Sequence, residues 1–179
     1  MFYSIIVPVY NRPDELDELL SSLTKQTLNN FEVIIVEDGS TNSSENIVET
    51  YNKILKISYL LKKNTGPADS RNKGIKSANG DFFIFIDSDC IVPPNYLYEV
   101  DEYLKGNKLD AYGGSDREHE SFINIQKAIN YSMTSFLTTG GIRGGSEKME
   151  KVHPRSFNMG FSKPAPNSAR MLRLLRIKK

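Results

Sequence analysis

The chain has one cysteine, no tryptophan and almost no excess of charge of either sign. The single cysteine, Cys90, excludes an internal disulfide framework and is typical of a reducing compartment. A formal net charge of +1 gives no overall reason to expect nucleic acid as a partner. The sequence also lacks an apolar run long enough to cross a membrane, and residues 1–9 lack the basic and apolar segments of a secretory signal. These absences predict a cytoplasmic domain.

What is present is enough for one globular domain. Charged residues make up 25% of the 179 residues and hydrophobic residues 39%, as in soluble proteins with a single core. Apolar runs typical of strands alternate with segments in which apolar residues recur at helical spacing. The predicted strands are 5–9, 31–36, 57–61 and 82–86, and the predicted helices are 13–23, 47–55, 68–78 and 94–104. This order predicts an α/β fold with a mostly parallel, doubly wound sheet and right-handed crossovers.

The most informative segment is 81–89, in which a run of aromatic and β-branched residues ends at Asp87 and Asp89. Such an apolar run predicts a strand buried on both faces of a parallel sheet. Ionised carboxylates cannot enter that apolar layer without a partner, so we expect the strand to end where the acids begin. Ligands bind at the carboxyl ends of strands in such sheets, and Mg²⁺ or Mn²⁺ suits two carboxylates there. The alternative is a strand end followed by a solvated turn.

Polar groups also follow the other predicted strands, and parallel pairing would bring them to the same edge of the sheet. Asp38 could accept hydrogen bonds from a base N–H or a ribose hydroxyl, and Gly39 would let the turn pass close to a ligand. Arg71 could meet a phosphate as a bidentate fork. With a metal at Asp87 and Asp89, the site suits a nucleoside diphosphate that carries a further group. No Gly-x-Gly-x-x-Gly or Gly-Lys-Ser/Thr motif follows the first strand, which argues against an NAD enzyme and an NTPase.

Four motifs in this order resemble those of the family 2 glycosyltransferases, which have the GT-A fold. The motifs are Val7-Pro8-Val9-Tyr10-Asn11-Arg12, then Ile34-Ile35-Val36-Glu37-Asp38-Gly39-Ser40-Thr41, then Asn64-x-Gly66 with Arg71-Asn72-x-Gly74, then Asp81 with Asp87-Ser88-Asp89. The resemblance covers residues 1–165, which we interpret as one nucleotide-sugar-binding domain. Residues 166–179 form a basic amphipathic tail that could contact the inner face of an anionic membrane.

The resemblance implies transfer of a sugar, with inversion, from a nucleotide-diphosphate sugar to a hydroxyl of a glycan or lipid-linked acceptor. A UDP-sugar is the favoured donor, and Mn²⁺ or Mg²⁺ is the implied cofactor. Asp87 and Asp89 match the metal motif, with Asp89 as the direct ligand and Asp87 at the ribose, and His153 is a further candidate ligand. Arg71 is expected near the diphosphate. The other residues implied for the donor nucleotide are Pro8, Tyr10, Arg12, Glu37, Asp38 and Ser88.

One departure from the family pattern concerns the general base. The family continues after the segment Asn158-Met159-Gly160-Phe161-Ser162 to a later acidic motif, whereas this chain continues with a Pro-rich link and the basic tail. Inverting transfer needs a carboxylate that takes the acceptor proton. The candidates within the chain are Asp116, Glu118 and Glu120.

Three functions stay open at this point. An active sugar transferase is favoured, ahead of a chain that binds donor but lacks the groups needed for transfer. The third is a nucleotidyltransferase on a related α/β sheet. Such an enzyme usually carries a Gly-rich loop with Arg or Lys after its first strand, and the segment 10–13, Tyr-Asn-Arg-Pro, is not such a loop.

Overall fold

The structure is a computed structural model that describes residues 1–107, 110–113 and 158–163. Strands and helices alternate along the first hundred residues, and two short strands follow. The elements are β1 (Tyr3–Val9), α1 (Pro13–Leu23), β2 (Phe31–Asp38), α2 (Glu45–Tyr51), β3 (Ile57–Lys62), α3 (Pro67–Ser77), β4 (Phe82–Phe85), α4 (Tyr96–Asn107), β5 (Ala111–Gly113) and β6 (Met159–Ser162).

The described strands form one sheet in the order β3-β2-β1-β4-β6-β5. The strands β1 to β4 are all parallel, and β6 runs antiparallel to both β4 and β5. Strands joined by a crossover helix must be parallel, so the predicted alternation leads directly to this centre of the sheet. The predicted α/β class is confirmed. The two short strands at one side, the antiparallel β6 and the edge strand β5, were not predicted.

Helices cover both faces of the sheet because successive residues of each strand point to opposite sides. On one face Ile5, Val7 and their neighbours pack beneath α1, α2 and α4. On the other face Ile6, Val36 and Phe85 pack against residues of α3 and β6. The strands β1 and β2 are therefore buried on both sides, as their continuous apolar runs predict.

Several element boundaries differ from the predictions. The strand β2 continues through Asp38, two residues beyond the predicted end at 36. The helix α2 ends at Tyr51 instead of 55, and α4 begins at Tyr96 instead of 94. Ser44 immediately precedes α2, but its hydroxyl makes no capping hydrogen bond. In the described part of the chain, no helix is both long and apolar enough to span a membrane.

A buried carboxylate anchors the edge of the sheet opposite to the strand carboxyl ends. Glu32, only 2% exposed, accepts hydrogen bonds from the Ser4 hydroxyl at 2.8 Å and from the Asn79 backbone N–H at 2.7 Å. Burial alone would raise the pKa of Glu32, but these bonds and the nearby Lys56 ammonium hold it below its usual value. The contact ties β1 and β2 to the turn that precedes β4.

Candidate functional site

An open cavity of about 590 Å³ lies at the carboxyl ends of the parallel strands. This is where ligands bind in open α/β sheets. The structure brings most of the predicted site residues together in its wall, with four more that had no individual role assigned, although Asn64 and Gly66 belong to a motif quoted above. The predicted residues that line it are Pro8, Tyr10, Arg12, Asp38, Arg71, Asp87, Ser88 and Asp89, and the added ones are Val9, Asn64, Gly66 and Pro67.

Asp38 is the last residue of β2 and is 4% exposed. Its carboxylate accepts hydrogen bonds from the Lys62 ammonium and from the backbone N–H groups of Thr65 and Gly66, at 3.0 and 2.9 Å. Burial alone would raise the pKa of Asp38, but these donors hold it below its usual value. Asp38 is therefore an ionised acceptor, fixed by the loop that leads into α3. Asp38 thus lies within a buried strand, two residues beyond the strand end predicted from the sequence.

Gly39 follows Asp38 and adopts a left-handed backbone with φ of +70°. A Cβ atom at this position would lie 2.6 Å from the backbone nitrogen of Asn64. The sequence led us to expect that this glycine allows a close approach to a ligand. In the structure the close approach is to the neighbouring loop of the chain itself, which lets that loop fold over Asp38.

Glu37 does not line the cavity, contrary to the expectation that it sits beside Asp38 at the nucleoside. Because β2 continues through both residues, their side chains point to opposite faces of the sheet. Glu37 accepts hydrogen bonds from the Ser44 backbone N–H at 3.0 Å, the Tyr59 hydroxyl at 2.9 Å and the Ser40 hydroxyl. The residue thus holds the start of α2 and the loop before it.

Arg71 lies on α3 and pairs directly with Asp87 in the cavity wall, with Nη2 2.6 Å from Oδ1. The arginine is 6% exposed, and its buried Nε has no hydrogen-bond partner. Burial raises the pKa of Asp87 above its usual value, and the charge of Arg71 offsets this only in part. Arg71 thus places a guanidinium, a group that commonly pairs with anions, in the wall of the cavity.

Arg12 and Asp89 form a second ion pair at the mouth of the cavity, with Nη1 2.5 Å from Oδ2. Their side chains are 48% and 50% exposed, so water reaches both partners. Arg12 is the residue immediately before α1. Ser88, between the two acids, is 5% exposed.

The carboxylates at the end of β4 suit a metal that arrives with its ligand. Within residues 1–107, 110–113 and 158–163, no group of three or more His, Cys, Asp and Glu side chains could enclose an ion by itself. Mg²⁺, however, is usually bound by one or two carboxylates together with substrate phosphates. The half-exposed oxygens of Asp89, with Asp87 nearby, match that requirement.

Some predicted residues fall outside the residues that the structure describes. They are the candidate bases Asp116, Glu118 and Glu120, the candidate metal ligand His153, and the tail 166–179.

Comparison with known proteins identifies the family. The model of glycosyl transferase family 2 matches residues 4–163, which is most of the chain. The chain belongs to this family. The four motifs that suggested the resemblance all lie inside the matched segment, and each of them contributes residues to the cavity wall.

Relatives and solved structures agree with this assignment. An uncharacterised glycosyltransferase of Rickettsia conorii is 45% identical over 141 residues, which is 78% of this chain and 22% of the relative. The poly(ribitol-phosphate) β-N-acetylglucosaminyltransferase TarS of Staphylococcus aureus is 40% identical over 114 residues, 62% of this chain and 20% of TarS. The crystal structure of TarS 1–349 with UDP-GlcNAc matches 69% of this chain and 36% of that one, with a TM-score of 0.64 and 32% identity.

A third likeness concerns the fold alone. A mannosyltransferase of Pyrobaculum calidifontis, solved with GDP-Man and Mn²⁺, matches this chain with a TM-score of 0.60 at 22% identity. The match covers 64% of this chain and 35% of the mannosyltransferase chain. Together with TarS it confirms the predicted GT-A fold. The chain spans about a fifth of the length of the curated relatives cited above. The absence of the late acidic motif from these 179 residues therefore does not argue against transfer.

Proposed function

We propose that this chain binds a nucleotide-diphosphate sugar in the cavity and transfers the sugar, with inversion, to an acceptor hydroxyl. The observation that carries the proposal is the convergence of Asp38, Arg71, Asp87 and Asp89 on one cavity at the carboxyl edge of the sheet. The cavity thus has a hydrogen-bond acceptor on one side and a guanidinium and two carboxylates on the other. A nucleoside linked to a diphosphate has the complementary groups in the same order.

The Asp38 side of the cavity suits the base. Its carboxylate stays ionised because its pKa is lowered, so it can only accept hydrogen bonds. Lys62, Thr65 and Gly66 use part of that accepting capacity, and a base N–H such as that of uracil can use the remainder. Pro8 and the half-exposed ring of Tyr10 complete this wall. A UDP-sugar is the donor that we favour, supported by the TarS crystal structure with UDP at 31% identity.

The other side suits the diphosphate and its metal. Arg71, whose guanidinium belongs to the cavity wall, would donate to the diphosphate or the ribose, and Ser88 lies between the two acids. Asp89 would hold Mg²⁺ or Mn²⁺, with Asp87 beside it also available to the ribose. The metal would neutralise the charge that develops on the diphosphate as it leaves. We propose that a carboxylate among Asp116, Glu118 and Glu120 or elsewhere in the protein takes the acceptor proton, and that the acceptor is a glycan or a lipid-linked sugar.

Titration calorimetry with UDP, GDP and dTDP, each with and without Mn²⁺, tests donor binding directly. We expect UDP to bind most tightly and Mn²⁺ to increase its affinity. Transfer is then measured by release of UDP from a panel of UDP-sugars in the presence of glycan and lipid-linked acceptors. If none of the three nucleotides binds under either condition, the proposal is wrong.

A further inference from the structure

We propose that Arg12 is a counter-ion for Asp89 that makes metal binding depend on the nucleotide. This inference rests on the proposed function, since it assigns a further role within the same site. Arg12 Nη1 lies 2.5 Å from Asp89 Oδ2, on the carboxylate that would hold the metal. The guanidinium therefore neutralises the carboxylate on which the cation would be held.

The charges of the cavity wall are balanced without a ligand. Arg12 pairs with Asp89, and Arg71 pairs with Asp87. A divalent cation that enters alone must displace Arg12 and leaves that guanidinium without its counter-charge beside the cation. When a diphosphate enters with the cation, its negative charge compensates the released guanidinium.

The difference in burial between the two pairs indicates which one opens. The Arg71 side chain is 7% exposed and held on α3, whereas both Arg12 and Asp89 are about half exposed. Exposed ion pairs contribute little free energy and exchange readily with water and ions. Arg12 can therefore leave Asp89 without cost to the core, and Arg71 cannot leave Asp87 in the same way.

The test measures the affinity of Mn²⁺ alone by the electron paramagnetic resonance signal of the free ion. For Arg12→Gln we expect the Kd of Mn²⁺ without nucleotide to fall by about fivefold, which corresponds to an exposed ion pair of about 1 kcal/mol. We also expect saturating UDP to increase Mn²⁺ affinity by a smaller factor in this variant than in the wild type. Without Arg12, the diphosphate has no displaced guanidinium to compensate, so the coupling between the two ligands is weaker.

Lys25→Gln is the charge-matched control, because it removes one positive charge from an exposed residue just beyond the other end of α1. The helix separates the two positions by roughly 16 Å, which exceeds the screening length at physiological salt. If Arg12→Gln binds Mn²⁺ no more tightly than the wild type, or if Lys25→Gln tightens binding equally, the inference is wrong. Asp89→Asn distinguishes failure of this inference from failure of the proposed function. If Asp89→Asn loses Mn²⁺ binding and the wild type binds UDP, the proposed function holds even when the inference about Arg12 is wrong.

Discussion

Lys62 donates to the carboxylate of Asp38 from the adjacent parallel strand, and the two residues are direct partners in the register of β2 and β3. Their side chains are only 8% and 6% exposed. Breaking a buried ion pair by removing one partner costs much more than the intact pair contributes, because a charge is left in a poorly solvated place. Asp38 is therefore expected to serve the fold as well as the ligand.

We predict that Asp38→Ala lowers the free energy of unfolding by about 3 kcal/mol, in addition to weakening UDP binding. Chemical denaturation of the two proteins without ligand measures this. Asp69→Ala is the matched control, because Asp69 contacts the same Lys62 nitrogen at 3.3 Å with a side chain that is 58% exposed. We expect that variant to lose less than about 1 kcal/mol. Equal stability of Asp38→Ala and the wild type would show that Asp38 serves the ligand alone.

The parallel centre of the sheet and most of the cavity could be predicted because each depends on short stretches of sequence. An apolar run that ends in polar residues places Asp87 and Asp89 at the carboxyl edge before any contact is known. The separation of Glu37 from Asp38 was also within reach. If the strand predicted for 31–36 is continued to 38, the alternation of its side chains places Glu37 and Asp38 on opposite faces.

Other features depend on contacts between distant parts of the chain. The strand β6 pairs with β4 through residues such as Gly160 and Ile84, and its four residues have no strong strand pattern of their own. The pairing of Arg12 with Asp89 joins residues 77 positions apart. Local periodicity contains no information about such pairs. The contact between Lys62 and Asp38, however, could have been expected, because the two residues end neighbouring parallel strands.

Glu32→Gln should reduce stability at pH 7 by about 1.5–3 kcal/mol, because hydrogen bonds to a buried charged acceptor are lost or weakened. The folded-state pKa of Glu32 is lowered, so its contribution is present above the unfolded pKa of about 4.3 and is lost as the pH falls through the folded value. The difference between Glu32→Gln and the wild type should therefore shrink below about pH 4. Urea denaturation from pH 3 to 7 measures it. A difference that is constant over this range would mean that the pKa of Glu32 is the same in the folded and unfolded states.

Gly39→Ala should destabilise the protein through both backbone strain and a steric clash. Gly39 has a positive φ of +70°, so a side chain there introduces backbone strain of about 1 kcal/mol. The new Cβ would also meet the backbone nitrogen of Asn64 at 2.6 Å. We expect a total loss of about 2–3 kcal/mol, read from thermal unfolding. A loss of only about 1 kcal/mol, as from strain alone, would show that the loop containing Asn64 moves aside freely.

The last prediction concerns the metal contribution of Asp89. A ligand that binds only the folded state raises stability by about 2.7 kcal/mol at a hundredfold excess over its Kd. With UDP present, Mn²⁺ should therefore raise the melting temperature of the wild type further than UDP alone does. Asp89→Ala should lose this Mn²⁺-dependent increment, because it removes the half-exposed carboxylate that would hold the ion.

Asp81→Ala is the control for that measurement. Asp81 immediately precedes β4, at the end opposite to Asp89, and its carboxylate accepts the Phe2 backbone N–H at 2.9 Å. This variant should melt at a somewhat lower temperature and still show the full Mn²⁺-dependent increment. An increment that survives in Asp89→Ala would place the metal on other residues, and Asp87→Ala and His153→Ala would be the next variants to measure.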